Sequence, residues 1–487
     1  MGRVLSNNIQ LSYAAESAIG VQPTSGWKKL EPNSITKYGA DIKTVERTPI
    51  SSTRQRKKGT IVDLDSAVEF DADYTMEQIT DFLEAFAFAS AYGTAPFRPT
   101  AVTSTGYTVA SGGALPQNYL IYAQGFATAA NNGLKVVGAS STGTEIKTSG
   151  LTAEASPPAS VLLEIAGVQG ASGDLTIDSS GNLNSTALDF TTLNLSVGQT
   201  IWIGGETTGT KFATAADRGY ARISAITATK LTLNKKSQAF TTDNGSGKTI
   251  QLFFGRFIKN VAVSDAKYIE RSYHFELVYP NLQPVSGDMY EYAQGNFANT
   301  LAFDLPLSNK AGLSIGFVGT DTPAPTTSRA TGASSALSAI RTTALNTTSD
   351  IARLRVTQTD ETGLTTDFKS LKLTLNNNVT PEKVLSTLGA RYMNTGIFEV
   401  NIEADLLFTN SGVADAIRAN TTLTMDFVVR NDNGALHVDI PSLTLGGGAR
   451  EFPINESVRI KTTAVAFGDA TLGTSIGLSL FPYAPAS

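Results

Sequence analysis

Strict alternation is the strongest pattern in the chain. In TIVDLDSAVEFDADY, Val62, Leu64, Val68, Phe70, Ala72 and Tyr74 fall on one side of an extended segment, and Asp63, Asp65, Glu69, Asp71 and Asp73 on the other. Period two over this length predicts a long antiparallel strand with one packed face and one wet face, and the wet face is acidic. The following TMEQITDFLEAFAFA changes period. Thr75 with Gln78 reads as a capping box, and Ile79, Phe82, Leu83 and Phe86 form an apolar helical stripe that is expected to cover a sheet.

Alternation returns at Tyr273, Phe275, Leu277 and Tyr279, and at Leu371, Leu373 and Leu375. In GIFEVNIEADLLF, Phe398, Val400, Ile402, Ala404, Leu406 and Phe408 point one way, while Glu399, Asn401, Glu403 and Asp405 point the other. Leu423, Met425, Phe427 and Val429 follow, then Val458 and Ile460, then Ile476, Leu478 and Leu480; a short helix, SGVADAIRAN, lies among them. Residues 97–262 have shorter strands (YLIYAQGFA, VLLEIAGV, QTIWIGG, YARISAIT, KLTLNK) separated by turn signals such as Asn132-Gly133 and Asn244-Gly245. The reading is a mainly β protein. An antiparallel sandwich or barrel with covering helices is built from residues 1–96 and 263–487, and 97–262 form an inserted β-rich region of one or two subdomains divided near residue 166. Residues 319–346 are poor in bulky apolar side chains and read as a long exposed loop, flexible or ordered on assembly.

Composition narrows the function. The chain has 487 residues, enough for two to four domains, and 43 glycines that suit short strands and tight turns. With 38 basic and 43 acidic residues, the formal net charge of −5 is opposite to that of a dedicated nucleic-acid binder. The absence of cysteine excludes disulfides, thiol catalysis and thiolate metal sites, and two histidines, His274 and His437, cannot build a multi-histidine centre within one chain. Neither a signal-peptide core nor an apolar run long enough for a membrane helix is apparent, so the product is expected to stay in the cytoplasm of the producing cell before assembly.

The candidate chemistry is thin. GSGKT at Gly245–Thr249 resembles the end of a phosphate loop, but Thr242 stands where a glycine is needed, and a strand rather than a helix follows; a hairpin turn is the better reading. Asp63, Asp65, Asp71 and Asp73 form a row on a strand, not the cage a cation requires. His274 alternates with apolar neighbours and is placed on the polar face of its strand; nothing marks it or His437 as a general base. Strand spacing alone leaves paired carboxylates for glycoside hydrolysis open, but Trp27 and Trp202 are the only tryptophans to stack on a sugar. No catalytic residue, cofactor or metal is therefore assigned. Arg47, Arg54, Arg56, Lys57 and Lys58 form the one basic cluster, read as a contact to an acidic patch of a neighbouring subunit, with a plain surface loop as the alternative. It lacks interleaved aromatics for stacking bases.

The order of these segments carries a resemblance. YAAESAIGVQPTSGWKKLEPNSI, then VERTPISSTRQRKKG and the acidic strand, resembles the start of the major tail tube proteins of long, non-contractile-tailed bacteriophages, with Glu16, Gly20, Trp27, Arg47, Pro49, Arg54 and Gly59 carrying the likeness. PEKVLSTLGARYMNTGIFEVNIEADLLF and the residues after it resemble the second half of the same domain, so the likeness covers about 1–96 and 263–487. It implies a tail-tube-type β-sandwich and rings of six copies that stack into the tube conducting viral DNA, in the virion tail, with tape-measure and terminator proteins as partners. The acidic strand faces, Asp63, Asp65, Glu69, Asp71 and Asp73 with Glu399, Glu403 and Asp405, are then expected to face the lumen, and the insertion to project outward as decoration. A capsid decoration or baseplate and receptor-contact β protein is the alternative; a carbohydrate-active enzyme is more distant.

Overall fold

Alternating residues of the kind just described need a second layer to bury their apolar side, and the chain supplies that layer by bending one sheet back on itself. The computed structural model describes residues 4–50, 52–53, 55–282, 287–358, 363–365 and 367–485. The elements that build the main body are β1 (Gln10–Ala15), β2 (Pro32–Arg47), β3 (Lys57–Asp73), α1 (Met76–Phe86), β4 (Ser272–Tyr279), β5 (Met289–Leu305), β6 (Gly312–Gly319) and β7 (Ile351–Gln358). They continue with β8 (Phe368–Asn376), β9 (Glu399–Leu407), α2 (Gly412–Ala419), β10 (Leu423–Asn431), β11 (Gly434–Glu451), β12 (Arg459–Ala466) and β13 (Gly477–Phe481). One antiparallel sheet runs β2-β3-β6-β5-β8-β9-β12-β11-β10-β7. β4 and β1 continue from the first half of β5, and β13 pairs with the first half of β11.

Two of the four long strands are the corners. β5 and β11 run for 17 and 18 residues, and each is shared between two limbs of the sheet. A register shift between Gly447 and Arg450 bends β11, with Gly447 and Gly448 at φ 78° and 93°, where a β-carbon would be strained. Both limbs turn their apolar faces to one core. Phe70, Leu301, Leu375 and Val400 come from one limb, Phe427, Val438 and Leu478 from the other, and α1 contributes Ile79, Phe82, Leu83 and Phe86, all four fully buried. Phe82 packs on Tyr13, Phe317 and Tyr273 with ring centroids 4.6, 5.3 and 5.4 Å away. Burying such a side chain stabilises the fold by about 2–3 kcal/mol.

The predicted stripe of α1 is therefore correct, but its cap is not. Thr75 makes no side-chain cap bond and is buried. The helix start lies beneath the chain at residues 340–341, and Glu77 makes the polar link there, accepting N–H bonds from Ile340 at 2.7 Å and Arg341 at 3.0 Å. Residues 319–346 run over the β1–β4–β5 limb rather than lying open. Ala330, Ala333 and Ala336 pack on Trp27, and Arg329 pairs at 2.6 Å with the fully buried Glu276. Small side chains here signal close packing, which composition alone cannot separate from solvation.

Within 101–253 the chain forms a nine-stranded and a three-stranded sheet that share one apolar cluster reaching from Val102 to Phe254. FATAANNG at 126–133 recurs as FATAADRG at 212–219. Each copy follows a strand, makes a single 3-10 turn (Ala129–Asn131 and Ala215–Asp217), and ends on a positive-φ glycine. Glu154 accepts the N–H groups of Ala127 and Thr128 in the first copy; Asp243 accepts that of Thr214 in the second. The turn motif thus occurs twice in the region, a signal that hydrophobic periodicity does not report.

This region is docked on the sandwich. Leu120, Trp202, Tyr220 and Phe253 pack on Val428, Ala435 and Phe481, and the buried pairs Arg222–Asp439 (2.8 Å) and Arg341–Glu164 (2.9 Å) cross the seam. GSGKT is a turn closed by Lys248 N–H to Gly245 C=O at 3.0 Å and followed by the Gln251–Phe253 strand; that strand pairs with Leu162–Gln169 and Thr200–Ile203 rather than with the preceding Lys230–Asn234, so the turn is not the hairpin the sequence suggests.

Candidate assembly surface

Directly paired residues of neighbouring strands project to the same face, so the register shows which polar residues lie together. Lys37, Glu69, Gly316, Thr300, Asn376 and Glu399 form one row across β2, β3, β6, β5, β8 and β9. Asp73, Gly312, Asp304, Lys372, Glu403 and Thr463 form another, with Ser34, Asp71, Ser314, Ala302, Thr374 and Asn401 between them. The acidic sides of β3 and β9 thus belong to one continuous wet face. Its back is apolar throughout, for example Ala72, Leu313, Phe303, Leu373, Ile402 and Ala464, all buried.

The face is less negative than its carboxylates imply. Asp73 bonds Lys310 at 2.8 Å and Asn33 at 2.6 Å; Asp71 accepts from Ser314 and Ser34 at 2.7 and 2.9 Å; Asp405 pairs with Arg459 at 3.2 Å. Asp63 and Asp65 share Lys383 and Lys43: Lys383 lies 2.6 Å from Asp63, and Lys43 lies 3.1 Å from Asp63 and also pairs with Asp65. Hydrogen bonds from Lys383 and then Lys43 hold the Asp63 carboxyl down at about 2. A bound cation would have to displace both ammonium groups. Among the described residues, Glu69, Asp304, Glu399 and Glu403 make no ion pair, so the face keeps a residual negative charge.

Beyond Ser66, β3 pairs only with β2. Asp41–Arg47 and Lys57–Asp65 therefore leave the sheet as a two-stranded ribbon, a form that is marginal in water by itself. Ile42, Val45, Ile61 and Val62 on it are each more than half exposed, as is Ile50 in its loop. Val62, expected on the packed side of the strand, is one of them, because the core ends at Leu64. Arg47 and Lys57 face each other at the end of the ribbon, Arg56 pairs with Glu46 at 2.6 Å, and Lys58 is exposed; Arg54 lies outside the described residues.

Two buried polar centres escaped sequence reading. His274 is 2 % exposed, not on a wet face: its Nδ1 lies 2.8 Å from Glu16 Oε1, beneath the 319–346 segment. Glu16 also accepts from Ser272 (2.6 Å), Gly295 N–H (2.8 Å) and Gly20 N–H (2.9 Å). Burial pushes the Glu16 carboxyl up, but these donors outweigh it and leave it below its ordinary value. The E-x-x-x-G segment is thus a structural clasp between the N-terminal strand, β4 and β5. The second centre is Asp426, held by Arg353 (2.5 Å), Arg355 (2.7 Å) and His437 (3.2 Å) behind the inserted region.

Among the described residues no three metal-ligating side chains converge, and no helix is long and apolar enough to cross a membrane. What the fold presents is an extended wet sheet face and a ribbon lacking a cover, the equipment of a structural assembly protein. The family model described as phage tail tube protein matches residues 6–460, and the chain belongs to that family. It is a structural component of the virion tail. No curated protein matches the chain.

Proposed function

We propose that copies of this chain close into rings, six in the arrangement the resemblance implies, which stack into the conduit for viral DNA with the wet face toward the lumen. The observation that carries this is the register: the polar sides of β3 and β9 lie on one face of one sheet. The opposite limb supports the same orientation. Its outer side, with Val428, His437 and Phe481, is covered by the inserted region, so wet face and insertion lie on opposite outsides of the sandwich. A lumen on one side leaves the insertion on the outside of the tube. Glu69, Asp304, Glu399 and Glu403 outnumber Lys372, the cation set between Asp304 and Glu403, and repel phosphate, and no aromatic side chain stands in these rows to stack on a base.

The test is Glu69→Lys, Glu399→Lys and Glu403→Lys together, which leaves every ion pair described above intact. Tails are expected to assemble, and DNA release to slow, most strongly at low salt. Release at the wild-type rate at low salt would place this face outside the lumen.

The ribbon is proposed to reach a neighbouring ring, its exposed apolar residues covered there and its basic cluster meeting carboxylates. Reversing Arg47, Arg56, Lys57 and Lys58 to glutamate is expected to lower tube yield in sedimentation while circular dichroism stays unchanged. An unchanged yield would mean that these charges simply face solvent.

A further inference from the structure

The seam between the inserted region and the sandwich encloses a cleft of about 530 Å³, within the size range of small-molecule sites. Trp202, Arg218, Tyr220, Ala352, Arg353 and Arg430 line it. Three arginines thus border one space. Asp426 is shared among Arg353, Arg355 and His437, and Asp217 lies close enough to Arg218 to feel its charge. The Arg353 fork is turned into the protein: Nε pairs with Asp426 at 2.5 Å, Nη2 donates to Lys235 C=O at 3.0 Å, and Nη1 is buried. Arg430 spends one donor, Nη1, on the Pro485 carbonyl at 2.8 Å. The rings of Trp202 and Tyr220, 4.7 Å apart and edge to face, wall the cleft with low-dielectric surface. The Tyr220 hydroxyl itself is buried, which pushes it up to about 12.

The second copy of the turn motif carries one of these charges where the first carries none. Arg218 occupies the position of Asn132 in the first copy. Asn132 Nδ2 closes its turn by donating to Phe126 C=O at 2.9 Å; Arg218 Nη2 closes the equivalent turn by donating to Phe212 C=O at 2.6 Å. A short amide performs the structural task, and the arginine adds a positive charge beside two others. Like charges around one cavity are mutually destabilising until an anion enters, and the planar guanidinium fork fits carboxylate and phosphate oxygens.

We propose that this cleft binds an oxyanion, a phosphate or carboxylate group, through Arg218 and Arg430, beside the positive charge of Arg353. The experiment is calorimetric titration of the full-length, unassembled chain with inorganic phosphate, the ionic strength held constant with chloride. Saturable one-to-one binding with Kd on the order of 1 mM or tighter is expected. Arg218→Asn, which copies the turn closure of the first repeat, should retain the wild-type melting temperature in phosphate-free buffer and bind at least about tenfold more weakly. Ala352→Glu, which places a carboxylate in the cleft, should abolish binding and raise the melting temperature. Absence of saturable binding by the wild type, or equal binding by Arg218→Asn, would overturn the proposal. Repeating the titration on assembled tubes separates the sources. Retained binding identifies a solute anion, whereas binding lost on assembly, with poor assembly of Arg218→Asn, identifies a carboxylate of a neighbouring copy.

Discussion

Replacing residues 44–62 by Asn-Gly is expected to abolish tube formation and leave the monomer intact. Lys43 and Asp63 already face each other in register, so a two-residue turn can join them, and Asn-Gly suits that turn. The described side chains removed are almost all exposed, so the excision takes little from the core, and the change in stability should stay within about 0.5 kcal/mol. Assembly loses much more. Val45, Ile50, Ile61 and Val62 are each more than half exposed, and a partner surface that buries them loses its central apolar contact. At about 1.4 kcal/mol for each factor of ten, losing such a contact raises the concentration needed for assembly by at least about a hundredfold. Sedimentation against concentration measures this. Tubes forming at the wild-type concentration would remove the ribbon from the assembly scheme.

The second large effect is on folding. Asp426→Asn is expected to destabilise the chain by about 3–5 kcal/mol, because Arg353 and Arg355 would remain largely buried without their counter-ion. Both arginines also donate to Lys235 C=O of the inserted region, at 3.0 and 3.1 Å, so the loss extends across the seam. Burial pushes the Asp426 carboxyl up, but His437 and Arg355 outweigh that and hold it below its ordinary value. A depressed carboxylate adds stability that is fully present above its unfolded value, about 3.9, and is lost as pH falls through the folded one. The wild type should therefore lose stability in acid below about pH 4 more steeply than the variant. Urea titrations of both proteins at neutral and acid pH test this; a loss under about 1 kcal/mol at neutral pH would contradict it.

The strands easiest to read in the sequence, β3 and β9, are those whose two sides meet different media, core and water. Where both sides are buried, the same alternation misleads. His274 and Glu276 on β4 look solvated but lie beneath residues 319–346, and Asp426 on β10 lies behind the insertion. Burial of this kind is set by segments distant in sequence. The charge on the wet face was hidden for the same reason, since Lys383, which helps neutralise Asp63, is 320 residues away from it. The paired repeats were missed because FATAA carries neither helical nor strand periodicity. The spacing from the preceding aromatic also differs, Tyr122 to Phe126 in one copy and Trp202 to Phe212 in the other. The match to the phage tail tube family agrees with the resemblance carried by the flanking segments.

The central claim is the orientation of the sheet, and a helical reconstruction of the assembled tube tests it most directly. Glu69, Thr300, Glu399 and Glu403 are predicted on the channel wall, with the inserted sheets of residues 101–253 on the outside of the tube. A tube in which those carboxylates face outward, or are buried between rings while another surface lines the channel, would contradict the account.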